Sequence, residues 1–270
     1  ALPISPQSAP ATEDAVRQAA DILAAARRPI AVLGSSAMRI ADKALLRQFV
    51  DQHQMPFAAT AMAKGLIDED HPLSLGCIER SCRQIQRKML RSADLIVGLG
   101  YDTIEVEFEA WIGETPLLQI DIDPVDIAPS VRLRHQVTGE LSSSLKRLCS
   151  VASTKNTWTA DELATHRRLF QTALRPEAAT FTAHAAIDAV RKVLPRDGIL
   201  AFDVGAHTHQ ISAQWPAHAP RTFHLTNGWS SMGFDLPAAI AAKLARPDLP
   251  VVCILGDGCF QRSEEHTSEL

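Results

Sequence analysis

The sequence predicts an α/β fold with two doubly wound parallel-sheet units, of which the first is Rossmann-like. Short continuous apolar runs alternate with amphipathic helical stretches along most of the 270 residues. This alternation is expected for parallel strands that are covered on both faces by helices. A polar, turn-rich stretch at 150–158 separates two such series. With 46% apolar and 21% charged residues, the composition is that of an ordinary globular protein.

The first series occupies residues 12–150. Thr12 can cap an opening helix at 12–27, in which apolar residues recur at helical spacing. The apolar run 29–35 predicts a buried strand. The elements that follow are helix 42–53, strand 56–60, helix 82–91, strands 94–100, 117–123 and 136–139, and helix 141–149. Residues 1–11 contain three prolines and predict a linker, and we expect the chain to be an internal piece of a longer protein.

The second series occupies residues 179–261. An interdomain linker at 151–178, with a solvated helix at 159–174, precedes it. Its predicted elements are helix 182–194, strand 198–204, helix 207–215, strand 221–226, helix 233–245 and strand 250–256. Three strands leave an open sheet unfinished, so we expect this unit to be truncated.

Residues 262–270 resemble the in-frame translation of a common sequencing-library adapter. We therefore expect them not to belong to the fold. The alternative is a natural helix start, because Ser263 could cap it and acidic residues follow.

Several classes of protein are disfavoured by composition. No apolar run approaches the length of a membrane span, and the N-terminus lacks the basic and apolar regions of a signal peptide. The formal net charge of −4 gives no general electrostatic attraction for nucleic acid. The five cysteines form no C-x-x-C pair. We therefore expect a cytoplasmic protein with reduced thiols that binds neither membrane nor nucleic acid.

Two glycine motifs follow predicted strands. Gly98-Leu99-Gly100 invites a dinucleotide-binding interpretation, but Thr103 stands where the third glycine is needed, which favours a simple turn. Gly256-Asp257-Gly258 is more informative. Its glycines let backbone N–H groups approach a phosphate, and its aspartate offers a hard oxygen ligand for Mg²⁺.

Two further segments accompany the second motif. Residues 203–207 combine a strand end, a glycine and a helix start, which suits an anion. Residues 227–240 form an irregular turn of small residues with one bulky methionine, followed by an alanine-rich helix. If the strands are parallel, all three segments lie at the same edge of one sheet.

These three segments, in this order, resemble the thiamine-diphosphate-dependent decarboxylase and carboligase family. Residues 12–150 resemble its central domain, and 179–261 resemble the first part of its diphosphate-binding domain. Within the family, residues 60–65, 98–105 and 119–124 are most similar to large (catalytic) subunits of acetolactate synthases, particularly the catabolic, FAD-independent type.

The resemblance assigns cofactor contacts to residues of this chain. It makes Met232 an apolar prop between the two rings of thiamine diphosphate; the less favoured alternative is an ordinary core methionine. It gives the Ser230 carbonyl a bond to the 4′-amino group. It makes Asp257 the ligand of Mg²⁺. The remaining predicted cofactor-binding residues are Gly205, Ala206, His207, Ser231, Gly256, Gly258 and Cys259.

The resemblance also implies an activity. The parent enzyme would decarboxylate a 2-oxo acid such as pyruvate and condense the product with a second carbonyl compound, as a homodimer or homotetramer. FAD is compatible with the family but is not favoured. No catalytic residue is expected in this chain, because the activating glutamate belongs to an N-terminal domain outside it, so the chain alone should be inactive. The alternatives are a 2-oxo acid decarboxylase or other lyase, and a non-catalytic nucleotide- or FAD-binding module at 12–150.

Overall fold

A computed structural model of the chain describes residues 8–106, 111–125, 127–151 and 156–264. Most of the predicted N-terminal linker (1–7), part of the interdomain linker (152–155) and most of the predicted adapter segment (265–270) lie outside the described residues. Among the residues that are described, no helix combines the length and the apolar character needed to cross a membrane.

Helices and strands alternate as the sequence predicts. The helices α1 to α9 are Glu13–Ala25, Ala44–Gln52, Arg83–Leu90, Leu141–Cys149, Ala160–Ala173, Ala183–Val193, Ala206–Gln214, Asp235–Ala245 and Asp257–Glu264. The strands β1 to β9 are Pro29–Leu33, Phe57–Thr60, Ser74–Ile78, Leu95–Leu99, Leu117–Asp121, Leu133–Thr138, Ile199–Phe202, Phe223–His224 and Val251–Ile254.

The first sheet has six parallel strands in the order β3-β2-β1-β4-β5-β6. This is the strand order of the Rossmann fold. Successive residues of β1 face opposite sides: Ile30 and Val32 join one buried apolar cluster, whereas Ala31 and Leu33 join another. The sheet is therefore covered on both faces, and the predicted α/β fold class is confirmed.

Strand β3 is an edge strand that the sequence analysis did not predict. It has Gly76 at its centre with a positive φ of 87°, so it lacks the continuous apolar run that marks a strand such as β1. The buried side chain of Gln86 on α3 completes it, because Gln86 Nε2 donates to the Leu75 carbonyl at 2.9 Å and to the Cys77 carbonyl at 3.0 Å. Gln86 Oε1 lies 3.1 Å from His166 Nε2 on α5.

Helix α5 is packed rather than solvated, contrary to the prediction for 159–174. It begins with a capping box in which Thr159 and Glu162 bond to each other's backbone N–H groups. Its residues Leu163, His166 and Phe170 are buried, and it contacts α3 and β3. The helix therefore forms part of the cover of the first sheet.

The second sheet has three parallel strands in the order β8-β7-β9. Strand β8 has only two residues, fewer than the predicted 221–226, and β6 in the first sheet begins three residues earlier than predicted. Both are edge strands. Strand β6 is largely polar and β8 is very short, so neither has a clear apolar pattern. Helix α9 was not predicted, and it continues past Gln261 to Glu264.

A buried ion pair of the first domain lies at the contact with the second domain. Lys64 Nζ lies 2.7 Å from Glu69 Oε2, and the two side chains are 1% and 8% exposed. Glu69 Oε2 also accepts the backbone N–H of Ala217 at 3.1 Å. Nearby, Gly65 has a φ of 78°, and a Cβ added there would lie 2.1 Å from the Ala219 carbonyl oxygen. The backbones of the two domains therefore touch at a position that only glycine fits.

We expect Lys64→Met to lower the free energy of unfolding by about 3–5 kcal/mol, because it leaves the buried Glu69 carboxylate without its cation. Urea titration followed by circular dichroism measures this. Lys192→Met, at an exposed lysine, is the matched control and should change stability little. Adding Glu69→Gln to Lys64→Met should recover part of the loss, since the amide oxygen still accepts the Ala217 N–H. A loss below about 1 kcal/mol for Lys64→Met would contradict the assignment.

Candidate functional site

Three loops converge at the carboxyl-terminal edge of the second sheet. The N–H of Gly233, in the loop between β8 and α8, donates to Asp203 Oδ2 after β7 at 2.5 Å. The thiol of Cys259 on α9 lies 3.3 Å from the Val204 carbonyl oxygen. A Cβ added to Gly258 would lie 3.4 Å from Met232 Cε. The three predicted segments thus meet at one site.

The loop that carries Met232 has an irregular backbone. Gly228, Ser230 and Gly233 have φ angles of 77°, 51° and 85°, a region that is uncommon for a residue with a side chain such as serine. Met232 is 45% exposed and Trp229 is 94% exposed. Ser231 is exposed as well. Met232 is therefore not a buried core residue in this structure and remains available as a prop at the edge of the site.

Helix α9 begins directly at the site. Asp257 is its first residue and is exposed, and Gly258 and Cys259 follow in its first turn. A Cβ added to Gly256 would meet no atom within 4 Å. Packing does not require a glycine there, and the open space leaves room for a ligand to approach the backbone. Cys259 is buried, and burial raises the pKa of its thiol, so it stays protonated at neutral pH.

Helix α7 also begins at the site. Gly205 and Ala206 are exposed, whereas the His207 ring folds back, within 2.9 Å of where a Cβ on Gly205 would lie. Burial lowers the pKa of His207, so the imidazole is neutral near pH 7. His207 Nε2 is buried and receives or donates no hydrogen bond within the described residues. In its neutral form the ring can offer a single N–H to an anion.

The residues present fit a diphosphate held through a metal ion. The N-termini of α7 and α9 both point positive helix ends at this edge, which favours phosphate oxygens. Asp257 offers an exposed carboxylate oxygen of the kind that Mg²⁺ prefers. Met232 stands beside Gly258 at the mouth of the same site.

Two buried carboxylates beneath the loops were not among the predicted site residues. Asp203 and Asp235 are 1% and 0% exposed, and their carboxyl groups lie close enough to influence each other's pKa. Burial, and then the contact with Asp203, raises the pKa of Asp235. Their 32-residue separation is not a local pattern, so sequence reasoning had no signal for the contact.

The first sheet has a different arrangement at its own switch point, between β1 and β4. There the half-buried carboxylate of Glu105 accepts the Ser35 N–H with both oxygens, at 2.9 and 3.0 Å. It also accepts the Thr60 hydroxyl at 2.7 Å and the Asp102 N–H at 3.2 Å. Gly100 has a φ of 60°, and a Cβ there would lie 2.2 Å from the Ala37 nitrogen. Gly100 therefore serves a tight turn, and a carboxylate of the chain itself fills the usual ligand position.

A separate acidic cluster lies outside the candidate site of the second sheet. Within the described part of the chain, the only group of three possible metal ligands is Asp68, Asp70 and His218. Arg196 pairs with both aspartates at 2.6 and 2.7 Å, and His218 Nδ1 lies 3.0 Å from Asp68. The cluster is therefore part of the contact between the two domains.

Comparison with known families gives two matches. The family model "Thiamine pyrophosphate enzyme, central domain" matches residues 16–148. "Thiamine pyrophosphate enzyme, C-terminal TPP binding domain" matches residues 203–270. The first match covers the six-stranded sheet, and the second begins at Asp203 and includes every loop of the candidate site.

Curated relatives agree with these matches. The chain is 29% identical over 257 residues to acetolactate synthase isozyme 1 large subunit of Escherichia coli, covering 93% of the chain and 45% of that protein. It is 25% identical over 275 residues to the acetolactate synthase large subunit of Lactococcus lactis, with 100% and 48% covered. It is 30% identical over 255 residues to the probable 2-ketoarginine decarboxylase AruI of Pseudomonas aeruginosa, with 92% and 44% covered.

The chain spans less than half the length of these relatives. Its two parallel sheets correspond to the two matched domains, in the same order along the chain. The chain belongs to the thiamine pyrophosphate enzyme family.

Proposed function

We propose that the chain is the central and cofactor-binding part of a thiamine-diphosphate- and Mg²⁺-dependent carboligase that acts on 2-oxo acids, with pyruvate as donor and acetolactate as product. We also propose that the whole enzyme is a homodimer or homotetramer. The acetolactate synthase relatives support the substrate class. The observation that carries the proposal is the convergence of Met232, Asp257 and two helix N-termini at one edge of the second sheet.

The residues of the chain have separate roles in this proposal. The first turns of α7 and α9 bind the diphosphate oxygens, and Asp257 binds Mg²⁺. Met232 would support the cofactor between its two rings, and the Ser230 carbonyl would accept a hydrogen bond from its aminopyrimidine. When bound, thiamine diphosphate supplies a carbon nucleophile for attack on the 2-oxo carbon. The protein contributes orientation and a cleft of low polarity.

A 2-oxo acid decarboxylase is the second candidate. The 30% identity to a probable 2-ketoarginine decarboxylase favours it. The two candidates share the cofactor site and differ in what accepts the decarboxylated donor. The products of pyruvate turnover by the whole enzyme separate them: acetolactate supports the carboligase, whereas acetaldehyde alone supports the decarboxylase.

A nucleotide- or FAD-binding role for the first domain receives less support. The Glu105 carboxylate takes the N–H and O–H donors at the switch point that a dinucleotide phosphate would otherwise use. A loop of the second domain also rests on the same segment, because Asn227 Nδ2 donates to the Glu105 carbonyl at 3.2 Å. We therefore favour the FAD-independent type.

We expect Asp257→Asn to weaken Mg²⁺-dependent binding of thiamine diphosphate by about tenfold or more, because a neutral amide is a poorer ligand for the ion. Quenching of the fluorescence of the exposed Trp229 reports binding, and Trp229→Phe identifies its share of the signal. Asp161→Asn, at an exposed aspartate of α5, is the control and should bind as the unchanged chain does. Equal affinity for Asp257→Asn with Mg²⁺ present would refute the metal assignment.

We expect the purified chain to show no flavin absorption after incubation with FAD and gel filtration. Glu105→Ala should lower the free energy of unfolding by about 1–3 kcal/mol, because the Ser35 N–H and the buried Thr60 hydroxyl lose their acceptor. Inorganic pyrophosphate should then raise the melting temperature of Glu105→Ala but not of the unchanged chain. Glu114→Ala, at an exposed glutamate, controls for net charge. Stoichiometric flavin retained by the unchanged chain would favour the nucleotide-binding alternative.

We expect the 270-residue chain, given pyruvate, thiamine diphosphate and Mg²⁺, to form acetolactate no faster than the same mixture does without the protein. The reason is that the resemblance assigns the activating glutamate to a domain outside this chain. Colorimetric detection of acetoin after acid decarboxylation measures the product. Acetolactate formed at ordinary enzymatic rates would show that the expectation of inactivity is wrong.

A further inference from the structure

The base of the Met232 loop rests on two buried carboxyl groups. Asp203 directly follows β7. Its Oδ1 accepts the Val204 N–H at 2.7 Å, and its Oδ2 accepts the Gly233 N–H at 2.5 Å. Asp235 opens α8, and its Oδ2 accepts the Cys253 thiol at 3.3 Å. Asp235 Oδ1 is buried and receives no hydrogen bond from the N–H and O–H groups of the described residues. A proton between the two carboxyls satisfies this remaining oxygen.

The charges of the surroundings favour such a proton. Neither carboxylate takes part in an ion pair with lysine or arginine among the described residues. Two buried carboxyl groups in contact do not both ionise, because each disfavours the charge of the other. The titratable groups that face the pair are Cys253 of β9, Cys259 of α9 and His207 of α7.

The proton belongs mainly to Asp235. Burial acts to raise the pKa of Asp203 as well, but hydrogen bonds from Val204 and Asp235, and the Gly233 N–H, outweigh it, and the pKa of Asp203 is lowered. The pKa of Asp235 is raised by burial and by its neighbour. Burial raises the pKa of Cys253 to about 12, so the thiol donor to Asp235 persists well above neutral pH.

The Asp203 carboxylate fixes the peptide that follows Met232. Gly233, with its positive φ, ends the irregular turn, and its N–H is the group that Asp203 holds. Since Met232 and Gly233 share a peptide bond, a shift of this N–H moves Met232 relative to Gly258 on the opposite side of the site. Through the bond from Gly233 to Asp203, the pair forms a polar link between the base of the site and the methionine loop.

We propose that Asp203 and Asp235, sharing one proton, are positioning residues that hold the Met232 loop in the shape that binds the cofactor. This inference rests on the proposed function, because the cofactor is the ligand whose affinity the loop would set. Asp235 acts as the hydrogen-bond donor, and Asp203 acts as the anion that orients Gly233.

Three variants test the proposal. Asp235→Asn keeps a donor at the same position and should bind thiamine diphosphate and Mg²⁺ within about threefold of the unchanged chain, whereas Asp235→Ala should lose about tenfold or more. Glu177→Gln, at an exposed glutamate, is the charge control. Binding is read from Trp229 quenching. Equal binding by Asp235→Ala and the unchanged chain would overturn the proposal.

The pH dependence gives a second readout. A raised pKa means that protonated Asp235 stabilises the loop at low pH, and this stabilisation is lost as pH rises through that pKa. Cofactor affinity of the unchanged chain should therefore fall as the pH rises through that pKa, and more steeply than the affinity of Asp235→Asn, which has no proton to lose. Parallel pH profiles for the two proteins would overturn the proposal even if Asp235→Ala fails to fold.

Hydrogen exchange separates this inference from the proposed function. In a chain labelled with ¹⁵N-glycine, the Gly233 N–H should be protected in the unchanged chain and in Asp235→Asn, with faster exchange in Asp235→Ala, without any cofactor. If the unchanged chain binds no thiamine diphosphate but this pattern holds, the proposed function fails and the positioning role of the pair stands. Equal Gly233 exchange in all three proteins would overturn the positioning role.

Discussion

The parallel pairing of β7 with both β8 and β9 is the constraint on which the candidate site depends. In the register of this sheet, Ala201 lies opposite both His224 and Cys253, so the three strands end almost level with one another. The loops that follow them come from distant parts of the chain and can meet only at this edge. The same arrangement places the first turns of two helices there, and with them the partial positive charge that a phosphate needs.

The two sheets use a carboxylate at their carboxyl-terminal edges in different ways. In the first sheet, Glu105 enters the switch point and collects donors from three segments, which makes that edge part of the scaffold. In the second sheet, Asp203 turns toward Val204 and the methionine loop, and the exposed residues Gly205 and Asp257 remain at the surface. A carboxylate thus belongs to the scaffold at the edge of the first sheet and orients a loop at the edge of the second.

Local sequence patterns predicted the parts of the fold that depend on local forces. Buried strands such as β1 and β4 have continuous apolar runs, and the fold class follows from their alternation with helices. The sequence did not predict strand β3 because Ser74 and Gly76 interrupt its apolar residues, although Leu75 and Ile78 are buried. The Gln86 side chain, which bonds to two of its carbonyls, comes from a separate helix. The sequence predicts a solvated α5 because most of its residues are polar. In the structure Leu163 and Phe170 are buried, whereas Leu169 is exposed.

The candidate site likewise has residues that local sequence patterns predict and residues that they do not. Met232 and Asp257 could be predicted because they belong to motifs in a fixed order, and the structure brings them to one edge. Asp203, Asp235 and Glu105 act through contacts between residues far apart in the chain, which no spacing in a single sequence reveals. The packing of Lys64 and Gly65 against the second domain is likewise a property of the folded chain.

The side-chain amide of Gln86 has a consequence for behaviour in concentrated solution. An edge strand normally presents unpaired carbonyls that can recruit a strand from another molecule and so begin aggregation. On β3, two of these carbonyls are already occupied by one glutamine, which is itself held by His166. A single side chain from a neighbouring helix thus makes these two carbonyls of β3 less available for β-pairing with another molecule.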